Sequence, residues 1–252
     1  MKKYPSEEIS NICENFLDGL KDILKKKLFG VYIYGGAACL DSFPTGDIDF
    51  HVILREALTE EESRAIDVLH KSLANNFPHL GVEMDGYYIL LKDARQKSPP
   101  KSQMWDGAVD NSWALHCEHL RSGRCIVLYG PDPGQIYPSM TWKEIESALK
   151  GELDYVEKHL NDYPYYCLLN LCRLMYSYKT KDVVISKKEA AEWAYNTFPE
   201  WRHHIELAKS SYARNVTPRN TESMHLEVKR FFKFACKYIE RNLEIKNNSS
   251  AV

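Results

Sequence analysis

Two aspartates separated by one residue, Asp47 and Asp49, are the side chains of this sequence whose type and spacing most clearly indicate chemistry. They stand at the start of IDFHVIL, residues 48–54, whose β-branched and aromatic residues predict a strand. Side chains two positions apart on a strand point to the same face, so the two carboxylates would lie side by side. Such a pair repels itself unless a divalent cation lies between the carboxylates, and Mg²⁺ suits carboxylate and phosphate oxygens. The pair therefore predicts a magnesium site that also receives a phosphorylated substrate.

A second feature lies upstream, where the predicted strand VYIY, residues 31–34, stops at Gly35 and Gly36. Two glycines let the backbone turn sharply and come close to a ligand, with amide groups available to phosphate oxygens. We therefore expect both glycines to approach phosphate groups. The sequence contains neither a Walker A motif nor G-x-G-x-x-G, so the P-loop and dinucleotide-binding alternatives lack their signatures.

A third carboxylate is expected on a neighbouring strand, and the segment VEMDGYYIL offers Glu83 and Asp85. Either residue could complete the metal site or accept the proton of a substrate hydroxyl as a general base. The register between strands does not follow from the sequence, so both remain candidates, with a slight preference for Asp85. A purely structural alternative is that the glycines form only a turn and the aspartate pair only ends a solvated strand. The succession of strand, glycine turn, spacer, aspartate pair and acidic strand argues against that alternative.

The elements that must position these residues follow from hydrophobic spacing. Apolar residues at three-and-four spacing between Ser6 and Leu28 predict a first helix. Strands are predicted at residues 31–34, 48–54, 81–91 and 125–129, and further helices at residues 59–75 and 112–121. This order of helices and strands predicts an α/β domain.

The character of the chain changes after the turn residues 130–134, since no later segment reads as a strand. Thr141 and Ser186 are each followed three residues later by a glutamate, which is the pattern of a capping box at a helix start. Thr221 is expected to cap the last helix. We place a domain boundary between residues 138 and 139.

The amino-acid composition limits the kinds of partner that the protein is expected to bind. The 33 Lys and Arg residues against 35 Asp and Glu residues give a net charge of -2, which argues against nucleic-acid binding. Seven cysteines without a C-x-x-C pair indicate neither a disulfide framework nor a zinc ribbon. The charged N-terminus and the absence of a long apolar run predict no signal peptide and no membrane span, so we expect a cytoplasmic protein. The sequence carries no indication of the oligomeric state.

The glycine turn and the Asp-x-Asp strand together resemble the motif of the nucleotidyltransferase superfamily. The nearer resemblance is to the aminoglycoside adenylyltransferases that act on streptomycin and spectinomycin. CIVLYGPDP, residues 125–133, resembles that family's segment between domains, and ISKKEAAEWAYNTFP, residues 185–199, resembles its helical-domain signature. The resemblance implies an α/β (α+β) nucleotidyltransferase domain with a mixed sheet, residues 1–138, followed by an all-α helical substrate-binding domain, residues 139–252.

The reaction that the resemblance implies is attack by a substrate hydroxyl on the α-phosphorus of ATP, which yields an AMP ester and pyrophosphate and confers antibiotic resistance. Asp47, Asp49 and Asp85 would hold Mg²⁺, and Asp85 or Glu83 would take the hydroxyl proton. Gly35 and Gly36 would approach the phosphates of the nucleotide.

The resemblance also implies contacts from further along the chain. Glu192 takes the position of an acidic residue that contacts the drug, which is a polycation. Trp113 or His116 is a candidate for a flat wall beside the substrate, although an aromatic on an amphipathic helix is more often part of the core. Lys209 and Tyr212 are expected to reach the nucleotide from the second domain.

Two other functions remain open. One keeps the catalytic residues but assigns another acceptor, such as a protein side chain, a metabolite or an RNA end. The other is a nucleotide-binding module without turnover, because Gly36 and Gly46 replace two serines that relatives carry. His116 and His119, three apart on a predicted helix, could form a metal pair, but no further ligand is evident nearby, so we do not expect zinc there.

Overall fold

The computed structural model of the protein describes residues 4–39, 43, 47–212 and 219–249. The chain forms two compact units, and the first gives way to the second between Ala148 and Leu149. That point lies inside helix α5, Trp142–His159. The domain boundary expected between residues 138 and 139 stays a prediction.

The first unit is built on a four-stranded mixed sheet, as the sequence predicts. Its elements are α1 Glu7–Leu24, β1 Leu28–Tyr34, β2 Ile48–Leu54, α2 Glu60–Asn76, β3 Met84–Leu90, α3 Leu91–Ala94, α4 Trp113–Arg121 and β4 Ile126–Tyr129, with the start of α5. The strand order is β3-β2-β1-β4. Strand β1 is antiparallel to both β2 and β4, whereas β2 and β3 run parallel.

The two faces of this sheet have different chemistry because side chains alternate along each strand. One face is apolar and packs on the amphipathic helix α1, where the rings of Phe16 and Phe50 lie 4.9 Å apart. Val31, Ile33 and Val52 are fully buried in the same core. The opposite face carries polar and aromatic side chains, among them those of Tyr34, Asp49 and His51.

Helix starts follow the sequence signals closely. Ser6 accepts a hydrogen bond from Ile9 N at the start of α1, and both bonds of a capping box are present at Thr59. The expected box at Thr141 is also formed, with Glu144 as its partner. These bonds satisfy N–H groups that have no partner within the helix.

All elements of secondary structure among the described residues of the second unit are helices. Its helices are the remainder of α5 with α6 Pro164–Thr180, α7 Lys187–Thr197, α8 Arg202–Tyr212 and α9 Arg219–Ser249. Helix α6 is almost entirely buried and packs against α7, α8 and α9. The mixed-sheet domain followed by a helical domain is thus confirmed.

Two boundary predictions are wrong. The strand expected at residues 81–91 covers only Met84–Leu90, because Gly81–Glu83 form a 3-10 turn. Thr221 does not cap the last helix, since α9 already includes Arg219. None of the helices in the described ranges is both long enough and apolar enough to cross a membrane.

Candidate functional site

The strand register brings carboxylates together on the polar face of the sheet. Asp49 lies opposite Tyr34 of β1 on one side and opposite Asp85 of β3 on the other. Residues paired across neighbouring strands point to the same face, so these three side chains share one surface. Asp47 directly precedes β2 and is exposed, as is Asp85, whereas Asp49 is half-buried. The structure thus places Asp49 and Asp85 side by side on the polar face, with Asp47 two residues before Asp49 in the chain.

The register also separates the two candidates that the sequence left open. Asp85 is the direct partner of Asp49, whereas Glu83 is an exposed residue of the turn that precedes β3. Only Asp85 therefore belongs to the ladder that carries Asp49. The roles of both residues in a reaction stay predictions.

Gly35 is required by the geometry beside Asp49. Its φ of 66° lies in the left-handed region, and a Cβ atom there would overlap Asp49 Oδ2. Gly36 follows in the same helical turn and accepts a hydrogen bond from Cys39 N. Backbone and carboxylate therefore meet at this turn, as expected of a phosphate-binding segment beside a metal site. Gly46 lies outside the described residues.

A largely buried cluster contains His116, which the sequence analysis singled out, with His51 and Asp110, which it missed. Asp110 Oδ2 accepts a hydrogen bond from His116 Nδ1 at 2.8 Å and lies 3.4 Å from His51 Nε2. Burial alone would raise the pKa of Asp110, but the two histidines hold it well below its usual value. Burial lowers the pKa of His51 despite the neighbouring carboxylate. No motif joins these residues in sequence, because they come from β2, from the loop before α4 and from α4 itself.

Tyr34 connects this cluster to the paired carboxylates. Its hydroxyl lies 3.4 Å from His116 Nδ1. Burial, followed by the charges of Asp110 and Asp49, raises the pKa of the phenol well above 10. Tyr34 therefore remains a neutral phenol at the edge of the site.

For Trp113 the structure shows the core position that the sequence analysis gave as the alternative to a wall beside the substrate. The residue is fully buried, and its indole N–H donates to Gln96 O at 2.9 Å. A buried ring offers no surface to a substrate. His116, one turn further along α4, keeps 23% of its side chain exposed and remains a candidate.

The predicted contacts of the second unit occupy α7 and α8. Glu192 is exposed on α7. Lys209 is half-buried on α8, where its Nζ lies 3.1 Å from Glu206 Oε2 and 5.8 Å from the centre of the Tyr195 ring. Tyr212 ends α8, and its side chain lies outside the described part of the chain. Contacts of these residues with ligands stay predictions.

Comparison with known proteins shows which proteins this chain, with its mixed sheet, paired carboxylates and glycine turn, is similar to. Residues 136–238 match the family described as "Aminoglycoside adenylyltransferase, C-terminal domain". The chain is 21% identical over 230 residues to a spectinomycin 9-adenylyltransferase of Enterococcus faecalis, covering 83% of this chain and 89% of that protein. It is 21% identical over 257 residues to the Staphylococcus aureus enzyme of the same name, covering 94% and 97% respectively.

A solved structure shows the same fold. The spectinomycin adenyltransferase AAD(9) of Enterococcus faecalis, crystallised with ATP and spectinomycin, superposes with a TM-score of 0.73 at 19% identity. The match covers 90% of this chain and 98% of the other. The chain is therefore similar to spectinomycin adenylyltransferases over most of its length and shares their fold.

Proposed function

We propose that this protein transfers AMP from ATP to a hydroxyl of an aminoglycoside-type antibiotic and releases pyrophosphate, with spectinomycin as the first acceptor to test. The observation that carries the proposal is the pairing of Asp49 with Asp85 beside the glycine turn. This geometry occurs in a chain similar to spectinomycin 9-adenylyltransferases over 94% of its length. The proposal extends to a role in antibiotic resistance.

The donor set fits a magnesium ion. Asp49 and Asp85 offer carboxylate oxygens from two neighbouring strands and Asp47 from the residue before β2, and two of the three are exposed. Hard oxygen ligands with room for water and phosphate are what Mg²⁺ requires. When bound, the ion would neutralise the triphosphate charge and orient the reacting oxygens.

Residues of the chain itself would then position the phosphates and accept the proton of the acceptor hydroxyl. The turn at Gly35 brings backbone against the phosphates, and Asp85 takes the proton of the attacking hydroxyl. The hydroxyl oxygen forms a bond to the α-phosphorus of ATP while the bond between that phosphorus and the pyrophosphate oxygen breaks. One AMP ester and one pyrophosphate leave, and the proton passes from Asp85 to solvent.

The second unit would supply the acceptor contacts. Glu192 is an exposed carboxylate within the segment that matches the family, and a negative charge attracts and orients a polycationic drug. Lys209 and Tyr212 are proposed to contact the nucleotide. In this assignment residues 1–138 carry the transfer chemistry and residues 139–252 bind the substrate. Seven cysteines that form no disulfide bond and the use of ATP suit a cytoplasmic location.

The test follows pyrophosphate release from ATP and Mg²⁺ with and without spectinomycin. We expect drug-dependent release from the natural protein and its loss in the double variant Asp47→Asn, Asp49→Asn, because the variant lacks two carboxylates. Asp22→Asn is the matched control, since Asp22 is an exposed aspartate on α1 away from the sheet edge. Full activity of the double variant would contradict the metal assignment. ATP binding without release for any drug would point to another acceptor, and no ATP binding would point to a module without turnover.

A further inference from the structure

The buried cluster of His51, Asp110 and His116, named here the His–Asp–His cluster, has the composition of a metal site. One potential ligand atom from each residue lies within 4.8 Å of the other two. The residues come from three different parts of the first unit, so the fold itself assembles them. Two imidazoles and one carboxylate form the donor set that zinc and its neighbouring transition metals bind, often with a fourth position left for another ligand.

The orientation of His51 is a second, independent observation. Its Nε2 is fully buried and has no hydrogen-bond partner, although it faces Asp110 Oδ2 at 3.4 Å. A buried polar nitrogen without a partner is costly, so it needs an explanation. On the other side of the ring, Nδ1 lies 3.3 Å from the hydroxyl of Tyr137. A histidine ligand held through its second nitrogen is the usual arrangement around a protein-bound metal.

The distances suit a cation between these atoms. Ligand bonds of about 2.0–2.1 Å in a tetrahedral site place neighbouring ligand atoms roughly 3.3 Å apart. The separation between His51 Nε2 and Asp110 Oδ2 already matches that value. When a metal binds, the distance between His116 Nδ1 and Asp110 Oδ2, which is 2.8 Å, would increase by about half an ångström. The hydrogen bond between these atoms would be replaced by one bond from each atom to the metal. The Tyr34 hydroxyl lies 3.4 Å from His116 Nδ1, beside the cluster.

We propose that the His–Asp–His cluster binds one zinc ion, at a site separate from the magnesium carboxylates and independent of the proposed reaction. The two sites differ in chemistry, because Mg²⁺ selects oxygen donors whereas zinc accepts imidazole. They share strand β2, on which His51 and Asp49 stand two residues apart on the same face. The exposed fraction of His116 provides access from solvent.

The test titrates zinc against a coloured chelator in excess Mg²⁺, using the full chain freed of metal. We expect one zinc ion per chain. His116→Ala should weaken zinc binding at least about tenfold, because losing even an outer-shell partner commonly costs 10–100-fold in affinity. Asp110→Asn should weaken it as well, and this variant keeps the shape of the side chain. Because His116 also pairs with the buried Asp110, circular dichroism checks that the His116→Ala variant is folded, and Asp110→Asn gives an independent test.

Control variants and a cobalt spectrum distinguish zinc binding at the His–Asp–His cluster from binding at other residues. His79→Ala, at an exposed histidine of the same unit, should bind zinc normally, and so should the Asp47→Asn, Asp49→Asn variant. Cobalt in place of zinc should show no thiolate charge-transfer absorption, because cysteines are not ligands here. Unchanged affinity in His116→Ala, loss of zinc in the aspartate double variant, a thiolate spectrum or no bound zinc at all would each overturn the proposal.

Discussion

Gly35 is the residue at which backbone geometry and the proposed chemistry are most tightly linked. A side chain there would overlap the Asp49 carboxylate, and the residue also adopts a positive φ. We expect Gly35→Ala to lower the rate at least about 100-fold, because displacing a reacting group by about 1 Å has that effect. Steady-state rates with ATP and the drug measure the loss.

Gly123→Ala is the matched control for that experiment. Gly123 has a φ of 79°, yet nothing lies within 4 Å of the position its Cβ would take. Both variants therefore carry left-handed strain of about 1–2 kcal/mol, but only one disturbs Asp49. Equal loss of activity in the two variants would show that strain alone, rather than the contact with Asp49, explains the effect.

Asp85 and Glu83 are distinguished by the strand register. We expect Asp85→Asn to reduce the rate by about 10²–10⁴-fold, the range typical of removing a general base. Glu83→Gln should leave the rate nearly unchanged, because Glu83 precedes the strand and is exposed. Single-turnover rates at saturating ATP are the measurement. The reverse ranking would assign the base to Glu83.

At the scale of elements, α2 is joined to the sheet by a half-buried histidine. His70 Nε2 lies 2.8 Å from the Tyr88 hydroxyl, and the His70 ring packs beside Phe16 and Phe50. Burial lowers the pKa of His70 to about 4, from a usual 6.5, against a raising effect of Asp67. The folded state therefore favours the neutral ring.

The pH dependence of stability follows from this shift. Between pH 6.5 and 4 the unfolded chain binds a proton at His70 that the folded chain does not, so stability rises with pH. The contribution is complete above pH 6.5 and is lost as the pH falls to about 4, amounting to about 3 kcal/mol. Urea unfolding across this range should show the decline. His70→Gln should flatten it and the exposed-site variant His79→Gln should not; an unchanged profile in His70→Gln would contradict this account.

The elements show why the sequence predicts some features and not others. Helix α1 and the capping boxes depend on residues close together in the chain, so spacing alone predicts them. The pairing of Asp49 with Asp85 depends on the register of two strands that are not adjacent in sequence, so the sequence left Glu83 and Asp85 open. The His–Asp–His cluster could not be predicted from the sequence for the same reason, because only the folded sheet and α4 bring its residues together. Trp113 is a helical aromatic that could face either way, and its burial required the structure.

At the scale of the whole molecule, the chain combines a sheet domain with paired carboxylates and a helical domain that matches the aminoglycoside adenylyltransferases. Similarity to spectinomycin 9-adenylyltransferases extends over 94% of the chain, so it spans both units. At 21% identity the fold is retained while many surface residues differ, which makes the acceptor the property most in need of measurement.

The most direct measurement is therefore the mass of the antibiotic after incubation with the purified protein, ATP and Mg²⁺. Spectinomycin should gain the mass of one AMP less water, and the product should be absent with the Asp47→Asn, Asp49→Asn variant. Streptomycin in a parallel reaction shows whether the acceptor range is wider. If neither these drugs nor other aminoglycosides gain mass while ATP binds in the presence of Mg²⁺, the proposed function is contradicted.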